Sequence, residues 1–529
     1  MKELNREEKQ QMKLAQVNTS KERISYPEDP LSLYQHLTQD APHTMLLESA
    51  EIESKDNIKS LILTDAALMI RCEGYQLTFT ALTDNGQSLL LPIQTFFHSA
   101  SSNLENNVLK LTLAKQTAQL DEDARLKSTS PLDGLRALVQ EIDCGASPAF
   151  EDLFLGGVLA YDLIDTVEPL PQVPHGANTC PDYLFYLAET LLTVDRQQET
   201  ANIVTHNFIA EPTLKNEYAK VLAKRVELVK AQIERVAAAG ELIPVTAEVA
   251  VDISDETFKN TVISLKSHIV AGNIFQVVPS RSFSLPCPNT LGAYRALRLT
   301  NPSPYMFYFR GDDFTVFGAS PESALKYETH TNQVEIYPIA GTRQRGKTAD
   351  GQIDADLDSR IELELRLDKK ELSEHLMLVD LARNDVARIS QSGTRKIPEL
   401  LKVDRYSHVM HLVSRVTGQL RIDLDALHAY QACMNMGTLT GAPKVSASQL
   451  IRGVEQTRRG SYGGAAGYLN GLGDMDTCIV IRSAFVKNGI AHIQAGAGVV
   501  FDSDPQAEAD ETRQKAQAVI TAIKMGGGL

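Results

Sequence analysis

A helical pattern runs through residues 361–390, a stretch without Gly or Pro. Leu372, Leu376, Val379 and Val386 recur there at three-, four- and seven-residue steps, the spacing of one face of an amphipathic helix. Near the C-terminus, Asp504-Pro505 reads as an N-cap followed by Pro at the first helical position. In the first half, the apolar runs at 60–72, 76–82 and 89–97 favour strands separated by polar turns. Residues 156–161 look like a Gly-punctuated buried strand, and 182–194 like one or two more. The segment up to Arg23 is charged and expected to be frayed or loosely docked. A helix of alternating charge is expected over 218–239, and 238–251 reads as a linker, which divides the chain into regions 1–250 and 251–529. Beyond it, Ser254 opens a helix to Val270, with Asp255 and Glu256 suited to its positive end. A strand follows at 275–283, a helix at 291–299, and strands at 305–309, 314–318, 324–327 and 334–337. Neighbouring strands with separate helices predict an α+β architecture with largely antiparallel sheets.

Composition narrows the classes of function. The formal net charge of -15 argues against general binding to nucleic acid or to an anionic membrane. No apolar run approaches the ~18 residues that would suggest a membrane span. The opening Met1-Lys2-Glu3-Leu4-Asn5-Arg6 is too polar for a signal peptide. Six scattered cysteines form no Cys-x-x-Cys, so neither a zinc site nor a disulfide framework is indicated. A cytoplasmic, reduced protein is expected.

Several polar groups sit where chemistry is plausible. Glu371 and Glu374 are three apart on one helix surface, and Glu508 and Glu511 repeat the spacing. Carboxylates brought together from two such helices would repel and raise each other's pKa unless a hard cation such as Mg²⁺ joined them. Solvated helix faces are the plainer reading of the same spacing. Arg482 interrupts an apolar run at 478–486, and a buried guanidinium needs an anion. An internal salt bridge and a planar substrate carboxylate both satisfy that need. Gln494-Ala495-Gly496-Ala497-Gly498 ends a strand with glycines that permit close approach of a ligand to backbone N–H groups. Gly437 to Lys444 precedes a helix at 445–451 and offers an anion-accepting helix start, without the spacing of a P-loop. In Ser320-Pro321-Glu322-Ser323 a carboxyl lies beside apolar strands, where it could keep its proton and act as a general acid, or simply stabilise the turn.

Together these segments resemble the chorismate-utilising enzyme family over roughly residues 252–523. The resemblance rests on Ser320-Pro321-Glu322-Ser323, the segments 338–343 and 374–385, Gly437 to Lys444, and Gln494 to Gly498. It implies two large, mostly antiparallel β-sheets packed face to face with flanking helices, and an active site between them. Two positions choose the reaction within the family. Members with a lysine nucleophile, such as aminodeoxychorismate synthase, carry it where this chain has Ala340; members that activate water carry a lysine where it has Gln276. Loss of both leaves ammonia, already a nucleophile, as the group added to chorismate, with pyruvate eliminated afterwards.

By the same resemblance, Glu374 and Glu511 ligate Mg²⁺, with Glu371 and Glu508 close by. The Gly496-Ala497-Gly498 backbone holds the ring carboxylate. Arg482 and Tyr462 hold the enolpyruvyl carboxylate, beside the Gly341-Thr342 turn. Glu322 protonates the departing C4 hydroxyl, and His411 and Thr438 border the ring. The segment from Met45 to Ala50 is similar to a tryptophan feedback motif, and Asn301 to Met306 to its second half. This assigns Ser49, Pro304, Tyr305 and Met306 to an L-tryptophan effector site. No Cys sits in the Gly-x-Cys-x-Gly setting of a glutaminase, so glutamine use implies a glutamine amidotransferase subunit as partner, in a heterotetramer of two large and two small subunits. Aminodeoxychorismate synthase is disfavoured by Ala340 and the segment 46–49. A non-catalytic tryptophan-sensing protein is disfavoured by the retained glutamates and His411.

Overall fold

The computed structural model describes residues 13–49, 59–115, 120–236, 240–348, 350–406 and 409–529. Antiparallel pairing dominates: 23 strands form one hydrogen-bonded network, and Gln276–Val277 pairs separately with Gly441–Ala442. A short parallel contact joins Ala15–Ile24 to Ile142–Asp143. Strands from the two sides of residue 250 pair directly. Thr44–Glu48 lies between Lys59–Glu73 and Tyr305–Arg310, and Phe154–Leu159 pairs with Ala465–Asn470. The C-terminal helix, Pro505–Gly526, packs on the Thr290–Thr300 helix and on the Ile490–Gly496 strand. No helix among the described residues is long and apolar enough to cross a membrane.

Local signals account for many elements. Ser254 accepts a bond from Thr257 N–H at 3.2 Å and opens the Asp255–Val270 helix. Asp504 accepts from Ala507 N–H at 2.9 Å and, with Pro505, starts the C-terminal helix. Strands at Tyr305–Arg310, Phe314–Ser320, Ser323–Glu328 and Gln333–Ile336 fall within about two residues of the expected bounds.

Elsewhere the structure corrects the pattern. The 361–390 run is two helices, Ala355–Leu367 and Lys369–Ile389. Asp368 leaves helical geometry at ψ 110 and caps the second helix, accepting from Lys370 N–H at 2.9 Å and Glu371 N–H at 3.2 Å. Its buried stripe includes His375, Leu378, Val379 and Val386, whereas Leu376 is exposed. Residues 89–96 belong to a helix, Asp84–Phe96, capped by Thr83 and followed by Phe97 as its C-cap. Leu89, Leu90 and Ile93 bury one helical face, a spacing that a continuous apolar run conceals.

The N-terminal charged segment is not frayed over Ala15–Ile24, which is a strand paired with Thr200–Ile209; residues 1–12 lie outside the described residues. Residues 182–194 form one strand, Tyr183–Asp195, flanked by Lys59–Glu73, Phe154–Leu159 and Thr200–Ile209. The expected strand at 275–283 divides into Gln276–Val277 and Ser280–Pro286 around Pro279, which has no N–H for a ladder. The expected strand at 478–486 divides into Met475–Ile479 and Ser483–Lys487, with Arg482 between them at φ 50. The helix expected over 218–239 is Lys215–Ile233, and residues 237–239 lie outside the described residues.

Candidate active site

Glu322 stands just past the Phe314–Ser320 strand. Its carbonyl accepts Ile479 N–H at 3.0 Å, so the turn is tied to the neighbouring Met475–Ile479 segment. Its side chain is buried and accepts the Thr438 hydroxyl at Oε1, 2.9 Å away. Burial pushes the carboxyl up to about 8, outweighing the Thr438 bond and the charge of Lys515. Glu322 is therefore an acid that holds its proton at neutral pH.

His411 lies on the Val409–Gln419 strand opposite Thr342, and its Nδ1 is 2.8 Å from the Thr342 hydroxyl. Burial, then the positive charge of Arg482, pushes its pKa down to about 4, so the imidazole is neutral. The Tyr406 ring meets it edge-on, with centroids 5.2 Å apart. Arg482 is half-buried and donates to the Lys515 carbonyl at 3.0 Å. Among the described residues it forms no ion pair, so an internal salt bridge does not explain it. Burial lowers its pKa, with Glu511 acting in the opposite direction.

The Tyr462 hydroxyl is bonded to the Gly496 backbone, and a Cβ on Gly496 would lie 3.0 Å from it. A Cβ on Gly498 would meet Gln276 Nε2 at the same 3.0 Å. The glycines thus admit two polar side chains to the backbone. Ala497 N–H donates to the Pro279 carbonyl at 3.1 Å, so that amide is not open to a ligand. Gln276 Oε1 is buried without a hydrogen-bond partner among the described residues.

Gly341, at φ +90, brings the Thr342 turn against Glu371: a Cβ there would lie 3.3 Å from Glu371 Oε2. Glu371 is paired with Arg343 at 2.7 Å, and Glu511 with Lys515 at 2.7 Å. The Glu374 carboxyl is pushed up to about 7 by burial, opposed by Lys370 and reinforced by repulsion from Glu371, Glu508 and Glu511. Glu374 therefore feels the other three carboxylates, and Glu508 also feels Glu511. Among the described residues, no group of three or more acidic, His or Cys side chains is drawn tightly enough to grip a metal ion as it stands. The chemistry of the donor set nevertheless fits a small hard cation. It offers oxygen ligands only, and buried Glu508 Oε2 has no hydrogen-bond partner among the described residues.

The four expected effector residues come together elsewhere. Ser49, Pro304, Tyr305 and Met306 line one cavity of about 620 Å³, along with Leu47 and Glu48. Buried Glu48 is held by Tyr294 at 2.9 Å and by Arg196 and Arg298 at 3.2 Å. Ala50, in the same motif, lies outside the described residues.

At the start of the Lys444–Glu455 helix the Lys444 ammonium is committed to Asp385 and the Cys433 carbonyl, both at 2.6 Å, so it is not free to meet an anion there. Lys515 went unread in the sequence, yet it bonds Glu511 and, at 3.0 Å, the Gly496 carbonyl. Its position four residues after Glu511 was the available signal. His375 was also missed. Its Nδ1–H donates to the Ala340 carbonyl at 3.0 Å, and Nε2 is 2.7 Å from the Ser414 hydroxyl.

An acid that keeps its proton, a neutral histidine and an unpaired guanidinium beside a glycine-lined backbone suit an anionic substrate whose leaving group needs protonation. The chorismate binding enzyme family matches residues 95–521. The chain is 59% identical over 515 residues to anthranilate synthase component 1 of Vibrio cholerae, covering 97% of each. It is 54% identical over 501 residues to that of Escherichia coli, covering 94% of this chain and 95% of the relative. Among solved structures, anthranilate synthase component I from Streptococcus pneumoniae superposes with a TM-score of 0.69 at 29% identity, covering 94% of this chain and 99% of that one. The chain belongs to the chorismate binding enzyme family. Within it, the proteins it resembles along nearly their whole length are the component 1 subunits of anthranilate synthase.

Proposed function

We propose that this chain is an anthranilate synthase component 1, converting chorismate and ammonia to anthranilate and pyruvate in the tryptophan biosynthetic route. The observation that carries the mechanism is Glu322, buried, protonated at neutral pH and aligned by Thr438. Arg482 and Tyr462 bind the enolpyruvyl carboxylate, and the Gly496 to Gly498 backbone borders the ring carboxylate. Glu322 gives its proton to the C4 hydroxyl, which leaves as water while ammonia adds at C2. Neutral His411, oriented by Thr342, and Thr438 border the ring as pyruvate departs and the ring becomes aromatic. Ala340 and Gln276 supply neither a covalent nucleophile nor a base for water.

Glu374 and Glu511, with Glu371 and Glu508, would hold Mg²⁺. The cation supplies positive charge that offsets carboxylate repulsion and favours the ring carboxylate. L-Tryptophan is the ligand of the 620 Å³ cavity, and its binding lowers activity. The same reading includes the two-sheet arrangement of the family, an effector-bearing region 1–250 and a catalytic region 251–529. It also includes a cytoplasmic site of action and a heterotetramer with glutamine amidotransferase subunits.

The purified chain with chorismate and Mg²⁺ should produce anthranilate fluorescence from ammonium and none from glutamine. Adding the amidotransferase subunit should confer glutamine use. Glutamine-dependent anthranilate from the chain alone would contradict this reading.

A further inference from the structure

We propose that Tyr337 is a positioning residue for Glu322, the wall through which a ligand in the large cavity acts on the general acid. The proposal rests on the roles given above to Glu322 and to the cavity. Glu322 borders a second, smaller space of about 20 Å³, bounded also by Thr438 and Asp385. Ser323 and Tyr337 line both this space and the 620 Å³ cavity. The chain alternates across the partition: Pro321 and Ser323 line the large cavity, whereas Glu322 between them reaches Thr438. Ser323 and Tyr337 are therefore common to the walls of the large cavity and of the space that Glu322 borders.

Tyr337 is suited to transmit a push. Its hydroxyl donates to the Glu335 carboxylate, which Arg415 approaches at 3.8 Å, so the tip of the ring is anchored. Pressure on one face of an anchored ring is passed to the other, because close-packed interiors transmit strain. The small space behind it is about the size of one water, enough room for the ring to tilt towards Glu322. The groups acting on Glu322 come from several elements. They are the Thr438 hydroxyl, Lys515 of the C-terminal helix, and Tyr406, while Asp385, paired with Lys444, borders the same small space. A tilt of Tyr337 changes the acid's distance from these groups without any contact between ligand and substrate.

The test compares parent, Tyr337→Leu and Tyr337→Phe. Tryptophan binding is read by calorimetry, alongside kcat, chorismate KM and the alkaline limb of kcat with and without tryptophan. In the parent, tryptophan should lower kcat and move the alkaline limb. Tyr337→Leu should bind tryptophan within about threefold of the parent and keep the parent's KM, yet lose inhibition by about tenfold, a typical coupling magnitude. Its limb should no longer respond to tryptophan. Tyr337→Leu with parental binding, inhibition and limb would overturn the role of Tyr337 alone. A parent that fails to bind tryptophan would overturn the effector reading and this proposal with it. Where Tyr337→Leu does not fold, Tyr337→Phe decides. Loss of the anchor must weaken inhibition and move the limb; unchanged inhibition would overturn the proposal.

Discussion

The Thr438 hydroxyl donates to Oε1 of Glu322 at 2.9 Å, leaving Oε2 to carry the transferable proton. Glu322→Gln keeps the shape and removes the acid, so kcat should fall by about 10²–10⁴-fold. Thr438→Val removes a bond that holds the Glu322 pKa down, so the alkaline limb of its kcat profile should move to higher pH. An unmoved limb would separate that limb from Glu322.

The pH dependence has two parts. Activity should be lost above about pH 8 as Glu322 ionises, and His411 should add a loss near pH 4 as it charges. For stability, Glu322 has a folded pKa above its ordinary 4.5, so the folded chain holds a proton that the unfolded chain has released. Its stabilising contribution is full below pH 4.5 and is lost as pH rises through about 8. Chemical denaturation of parent and Glu322→Gln should therefore diverge over that window, the parent weakening with pH relative to the variant. Parallel curves would contradict the raised pKa.

Glu374→Gln and Glu511→Gln should each remove most Mg²⁺-dependent activity while leaving the circular dichroism spectrum unchanged, because each deletes a charge from a site with few ligands. EDTA should arrest the parent. Full turnover in EDTA would refute the metal reading.

Ser49 lines the 620 Å³ cavity at its junction with Pro304 and Met306. Ser49→Phe should fill that end and relieve tryptophan inhibition with uninhibited activity retained. Tryptophan should also raise the thermal midpoint of the parent, since it binds the folded chain. A variant as sensitive as the parent would remove Ser49 from the effector site.

What was legible in the sequence was local. Ser254 and Asp504 announced their helices because a cap and its N–H partners are three residues apart. Glu322 and Arg482 were legible as candidate chemistry from their apolar surroundings, and His411 only through the family resemblance. Asp368 was not read as a break, because one Asp inside a helical period looks like a solvated position until its side chain turns back to cap. Residues 89–97 were misread because a continuous apolar run carries no period to separate strand from helix. The pairing of Thr44–Glu48 with Tyr305–Arg310 brings the effector motif to its second half across about half the chain, which no local pattern encodes. Nor could any spacing show that Lys444 is consumed by Asp385 while Arg482 has no ion pair among the described residues.

The most direct measurement is product chromatography of the purified chain with chorismate and Mg²⁺, with and without ammonium. With Ala340 and Gln276 in the two nucleophile-setting positions, ammonium should yield anthranilate and pyruvate in equal amounts. Without ammonium there should be little isochorismate or salicylate. Substantial hydroxylated product in the absence of ammonium would show that the site activates water and would contradict the account.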